Sequence, residues 1–358
     1  MRNNANSKTK WLLIIGVVVI VLWGFILISF QGLELFQQNL TALSSTKSDV
    51  IWEVNTLAPH EIVETSNCLE FLWSQPNIFI PRSSGSSLLV ATNGLIYIAG
   101  SFTQTQQIAI TALQGVNGEQ LWQSNPGIRD ALYATPDALY SGMGNSITSY
   151  DLNAGKVLWS QRLPRGRNVY HLYVVDNIIY TVSTPFHLVQ ADTGQVIQTF
   201  SHFPTETELQ KIAQQLRKTM PSVSLKGDYF LDNAFTKEAS FRRTHSLTNL
   251  RAIDRETDTT LWEIEEGVKS NVVATETIIY LFTLDGDLLG LDPYTGKGIT
   301  LVKFGQGSFS HNSHYYVAID EVAQLLYVYL GDTYQLFAFK LTGDNWSENS
   351  KLNELDCS

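Results

Sequence analysis

The chain has 358 residues, 44% hydrophobic and 16% charged, which is too apolar for a disordered polypeptide and too poor in charge for a long coiled coil. With 24 basic and 34 acidic residues the net charge is -10, so nucleic-acid binding, which rests on clustered Lys and Arg, is excluded as a main role. Two cysteines exclude a disulfide-dense scaffold, an iron–sulfur cluster and an all-cysteine zinc site.

Residues 11–30 contain no charge. At 1.5 Å rise per residue they span about 30 Å, the thickness of one hydrocarbon core. Arg2, Lys8 and Lys10 precede them with no acid, and Glu34 is the first charge after them. The positive-inside rule then puts residues 1–10 in the cytoplasm, a membrane helix at 11–30, a linker at 31–47, and the rest outside. Without those three charges the remainder holds 21 basic and 34 acidic residues, a charge of -13. A cleaved signal peptide is the rival reading. The run exceeds the usual apolar core of about 7–15 residues, and Ile28-Ser29-Phe30-Gln31 lacks a small-x-small site.

The exported part repeats one phrase: a small residue, a turn with Gly, then an apolar pair ending in Trp. Two copies run from Ala112 through Gly118 to Trp122, and from Ser149 through Asp151 and Gly155 to Trp159. A third runs from Ala252 through Asp254 and Asp258 to Trp262. Weaker copies centre on Gly194, and on Asp292 with Gly296. The turn positions 118, 155, 194, 258 and 296 are 37, 39, 64 and 38 apart, so about 26 residues are inserted before 258. Four short β-type runs fill each period, which predicts one propeller blade per period. Asp caps its own turn, Gly takes positive φ, small residues admit a neighbouring blade, and Trp fills the seam.

This phrase resembles the blade motif of pyrroloquinoline-quinone-like (PQQ-like) β-propellers, Ala-x-Asp-x-x-Thr-Gly-x-x-x-Trp. Asp292-Pro-Tyr-Thr-Gly296-Lys and Asp151-Leu-Asn-Ala-Gly155-Lys match it best, and the likeness covers about residues 88–346. The copy at 292 lacks the Trp, and the copy at 258 has Asp in place of Gly. The resemblance implies an all-β fold of four-stranded blades. Counting units gives six, with seven or eight as alternatives. The propeller is expected over 48–346 and a tail over 347–358. Residues 48–54, around Trp52, read as the missing outer strand of the last blade, and 57–87, with Pro59, Pro76 and Pro81, reads as loop.

The insertion, at about 202–226, carries a helix signal: Thr205 with Glu208 as a capping box, Pro221 as a stop, and Leu209, Ile212, Ala213, Leu216 and Met220 on one face. It reads as a decoration, or as a lid or partner-binding helix. In an oxidising exterior Cys68 and Cys357 are expected to pair, the alternatives being free thiols or an intermolecular bond.

No catalytic or metal-binding pattern emerges. His311-Asn-Ser-His314 has no third ligand, and Asp285-Gly286-Asp287 reads as a strand-to-strand turn. One branch of the resembled family, the quinoprotein dehydrogenases, implies a cofactor-stacking pair of adjacent cysteines, absent here. Another, the outer-membrane barrel-assembly lipoprotein, is a non-catalytic scaffold with a lipobox cysteine after its signal core, also absent here. The expected function is a non-catalytic scaffold for another extracytoplasmic or membrane protein, without cofactor or metal. A receptor for carbohydrate or peptide is the alternative, and a quinone-dependent dehydrogenase the remote one.

Overall fold

The chain divides into two compact units, residues 1–55 and 56–358. The computed structural model describes residues 60–342 except 82–86, 103–106, 128, 165–167, 183–184, 203, 205–207, 209–233, 236–238, 244–248, 255–256, 258, 266, 276 and 306–312. The expected membrane helix at 11–30 and strand at 48–54 lie outside the described residues, as do Cys357 and nearly all of the helical insertion. Among the described residues no helix is long and apolar enough to cross a membrane.

Among the described residues the strands form six antiparallel sheets, numbered here as blades in chain order. Blade 1 holds β3 (Leu89–Thr92), β4 (Leu95–Gly100), β5 (Ala109–Gln114) and β6 (Gln120–Gln123). Blade 2 holds β7 (Ala131–Ala134), β8 (Leu139–Met143), β9 (Ser146–Tyr150) and β10 (Val157–Arg162). Blade 3 holds β11 (His171–Val175), β12 (Ile178–Val182), β13 (Phe186–Gln190) and β14 (Val196–Phe200). Blade 4 holds β15 (Ala234–Phe235), β16 (Ala239–Arg243), β17 (Leu250–Asp254) and β18 (Thr260–Ile264). Blade 5 holds β19 (Val273–Ala274), β20 (Ile279–Phe282), β21 (Asp287–Leu291) and β22 (Gly298–Phe304), with β1 (Ile62–Thr65) added as a fifth, outermost strand. Blade 6 holds β23 (Tyr315–Asp320), β24 (Leu325–Leu330) and β25 (Gln335–Leu341), and its outer strand is β2 (Leu69–Gln75). The fold is a β-propeller.

Chain direction sorts the loops onto two faces. One face carries the phrase turns, between third and outer strands. The other carries the loops between second and third strands and the described connectors between blades.

The last blade corrects the sequence reading. Its outer strand is Leu69–Gln75, not the region of Trp52, and residues 57–87 contain two strands. Phe71-Leu72-Trp73 ends in the same apolar pair as Gln120-Leu121-Trp122. It went unread because no phrase turn precedes it in sequence: its partner strand, β25, lies at the other end of the chain. Pro76 and Pro81 fall after β2, where a missing N–H costs no ladder bond.

Apolar side chains of adjoining blades merge into shared cores. Tyr97 and Ile98 of blade 1 share one with Tyr327, Tyr329 and Ala338 of blade 6, all nearly or fully buried. There β3 lies against β23, so the first and last blades meet. Asp285 and Gly286 form the turn between β20 and β21 as expected, with Gly286 at φ 89°.

Candidate functional site

The repeated phrase builds the seams between blades. Trp122 Nε1–H donates to the Leu152 carbonyl of blade 2 at 2.8 Å, and Trp159 to Ala191 of blade 3 at 2.9 Å. Trp262 donates to Pro293 of blade 5 at 2.9 Å, and Trp73 to Gly115 of blade 1 at 2.8 Å. Each acceptor stands three residues before the turn glycine of the next blade. The indole rests on that glycine. A Cβ built on Gly155 would lie 2.5 Å from Trp122, and one on Gly194 2.5 Å from Trp159. Gly118 and Gly296 meet Trp73 and Trp262 in the same way, at 3.1 and 2.7 Å. Gly155 also has φ 64°, so both space and backbone demand it.

The turn aspartates act as read. Asp151 Oδ1 accepts the N–H groups of Asn153 and Ala154, and Asp292 Oδ1 those of Tyr294 and Thr295. Asp254 Oδ1 accepts from Thr257 N at 2.7 Å.

The small residue of the phrase differs from expectation. It makes room inside its own blade, not for the neighbour. Ala112 stands between Tyr97 on β4 and Trp122 on β6, whose rings meet over it at 5.8 Å. Ser149 stands likewise between Tyr140 and Trp159, at 6.1 Å, and Ala338 between Tyr327 and Trp73, at 6.4 Å. The tyrosine of this triplet was missed. It stands 15, 9 and 11 residues before Ala112, Ser149 and Ala338, so strand register, not spacing, makes it visible.

A cavity of about 350 Å³ lies along the inner strands of blades 1, 2, 3, 5 and 6, in the central channel. Among the described residues none of those lining it is an acid, a lysine or an arginine. His171 stacks on Tyr173 with ring centroids 6.3 Å apart, and Tyr133 meets Tyr173 edge-on at 6.4 Å. Burial pushes the His171 imidazole down to about 4, so it is neutral at pH 7, and burial pushes the Tyr133 phenol up.

Three polar side chains of the channel, Ser87, Asn271 and Tyr133, serve the backbone. Inner strands carry an unpaired edge, and side chains close it. Ser87 Oγ donates to the Leu89 carbonyl and accepts the Leu89 N–H. Asn271 does the same for Val317, at 2.8 and 2.7 Å, bridging blades 5 and 6 as another strand would. A Val174 backbone group bonds the Tyr133 hydroxyl. Pyrroloquinoline quinone bears three carboxylates, and the described part of the lining offers no Lys or Arg to pair with them.

Two further features tie the chain's start into the ring. His60 spans blades 5 and 6: its N–H donates to Gln335 Oε1 at 2.8 Å, Nε2 lies 2.9 Å from Asp332 Oδ2, and Nδ1 3.3 Å from the Gly305 carbonyl. Cys68, wholly buried, is disulfide-bonded, and its carbonyl accepts the Thr342 N–H after β25. Sequence gave no sign of His60, since its partners lie 245 to 275 residues away.

What the seams and channel define is a ring of blades, each locked to the next. A family model described as outer membrane protein assembly factor BamB matches residues 105–231. Among solved structures, a chain titled the crystal structure of the mitotic checkpoint complex is similar at a TM-score of 0.55 with 11% identity, over 80% of this chain and 100% of that one. BamB from Moraxella catarrhalis gives a TM-score of 0.44 with 13% identity, over 76% of this chain and 97% of that one. A comparison with curated protein sequences returns no match.

Proposed function

We propose that this protein is a membrane-anchored, extracytoplasmic propeller of six blades that serves as a non-catalytic scaffold for another protein. One observation carries the reading: Ser87, Asn271 and Tyr133 of the channel bond the ring's own backbone, which favours the loops and rims as the surface for recognition. The match over residues 105–231 to a family described as an assembly factor agrees with it. Propellers hold variable loops on a fixed ring, where function resides. The uncharged run at 11–30 would hold that ring at the membrane and raise its effective concentration there. The six-blade count rests on blade 1 meeting blade 6 directly.

The test is purification of the full chain from its native membrane after mild crosslinking. Discrete co-purifying proteins are the expected outcome. Recovery of a bound sugar with no protein would replace the scaffold by a receptor, and dye-linked alcohol oxidation after addition of quinone and calcium would replace it by an enzyme. For orientation, protease added to intact cells should remove the propeller; protection until lysis overturns the outside placement.

A further inference from the structure

We propose that Arg129 is a carboxylate-binding site between blades 1 and 2, with Met143 as its removable cover. The inference stands apart from the scaffold reading, because it concerns what one buried cation lacks. Arg129 is 7% exposed. Its Nη1 lies 2.9 Å from the Met143 sulfur, its Nη2–H donates to the Tyr150 hydroxyl at 3.2 Å, and its buried Nε has no partner. Among the described residues no carboxylate pairs with it. The neighbouring acid, Asp130, turns its Oδ2 to the Gly144 N–H at 2.9 Å.

A buried guanidinium held by a thioether and a phenol is an anomaly in a chain with ten more acids than bases. Buried charges are ordinarily paired, since desolvation is costly and a neutral sulfur returns little of it. The group placed over it is also the easiest to displace. Met143 is 46% exposed, ends β8 on the connector face, and has an unbranched, adaptable side chain. Swinging it aside frees the Nη1–H groups as charge-assisted donors to a carboxylate oxygen. Tyr150 beneath stacks on Trp122, with ring centroids 6.5 Å apart at 19°, so the guanidinium caps a column that ends on the Gly155 turn. An aspartate or glutamate side chain of a polypeptide is the source the exposed location favours.

Thermal unfolding of the full chain in propionate, against chloride at equal ionic strength, tests the site. The expected result is a higher Tm in propionate, with the rise lost in Arg129→Met. A second variant covers a failure of that one to fold. Met143→Glu places a carboxylate on the guanidinium from an exposed position; it should raise Tm in chloride and abolish the propionate response. No rise in the unmodified protein, or a rise that persists in either variant, overturns the proposal. A photoreactive residue at 143 distinguishes the source. A crosslinked polypeptide competed by propionate identifies a protein carboxylate, whereas a propionate response without any crosslinked polypeptide assigns the site to a small free acid.

Discussion

At the scale of single residues, the interior selects protonation states. His171 faces the channel yet is 6% exposed, and with burial pushing its pKa to about 4, against an ordinary 6.5, the unfolded chain takes up a proton before the folded one does. Its contribution is therefore fully present above about pH 6.5 and is lost as pH falls towards 4, by up to about 3 kcal/mol. His171→Gln should flatten the acid limb of a stability-against-pH curve measured by thermal unfolding. An unchanged acid limb would show that His171 titrates normally. Gly155→Ala belongs to the same scale: it forces a side chain onto φ 64° and into the Trp122 indole. A loss of about 2–4 kcal/mol is expected in denaturant unfolding.

At the scale of elements, tryptophan and turn glycine form a lock between successive blades. Where a blade carries the Trp, the next blade has Gly: Trp73 with Gly118, Trp122 with Gly155, Trp159 with Gly194, Trp262 with Gly296. Blade 3 has Gln198 in place of Trp, and the matching position of blade 4 is Asp258. Blade 5 has Thr300, and the matching position after β25 is Asp344. Asp258, a departure from the motif when read alone, thus follows in sequence the one period among 118–194 whose phrase ends without a tryptophan. A double-mutant cycle tests the pairing. Gln198→Trp alone should be neutral or destabilising, and Gln198→Trp with Asp258→Gly should be more stable than the sum of the single changes by about 1 kcal/mol or more. Additive effects would show that the pattern is not a lock.

At the scale of the molecule, closure depends on the segment from His60 to Gln75. It adds β1 to blade 5, completes blade 6 with β2, and sets His60 across a seam that lacks a tryptophan. Phe71 packs edge-on against Phe339 at 5.9 Å, and Ser66 N–H donates to the Leu301 carbonyl at 2.9 Å. Deleting residues 69–75 should strip the outer edge of blade 6 and leave aggregating material in place of a monomer on gel filtration. A soluble variant with unchanged Tm would refute the closure. Cys68 opens that strand, and non-reducing peptide mapping should find it joined to Cys357, the chain's other cysteine. Recovery of Cys357 as a free thiol would rule the pair out.

The local chemistry of the blades was legible in the sequence. Turn residues, strand lengths and the Trp of each phrase are set by interactions a few residues long, so Gly118, Asp151, Gly155, Trp159 and Asp292 could be placed in advance. The charge balance and the apolar run at 11–30 were likewise properties of the chain alone. What only the tertiary structure decided was every pairing across the ring. β2 joins β25 although about 260 residues separate them, His60 reaches Asp332, and Asn271 poses as a strand for Val317. The tyrosines opposite Ala112, Ser149 and Ala338 belong to the same class, because register across three strands, not order along one, brings them to the indoles. The physical reason is common to all of them. A turn closes on itself and leaves its mark in consecutive residues, whereas a ring is closed by groups that share an edge only after the chain has gone all the way round.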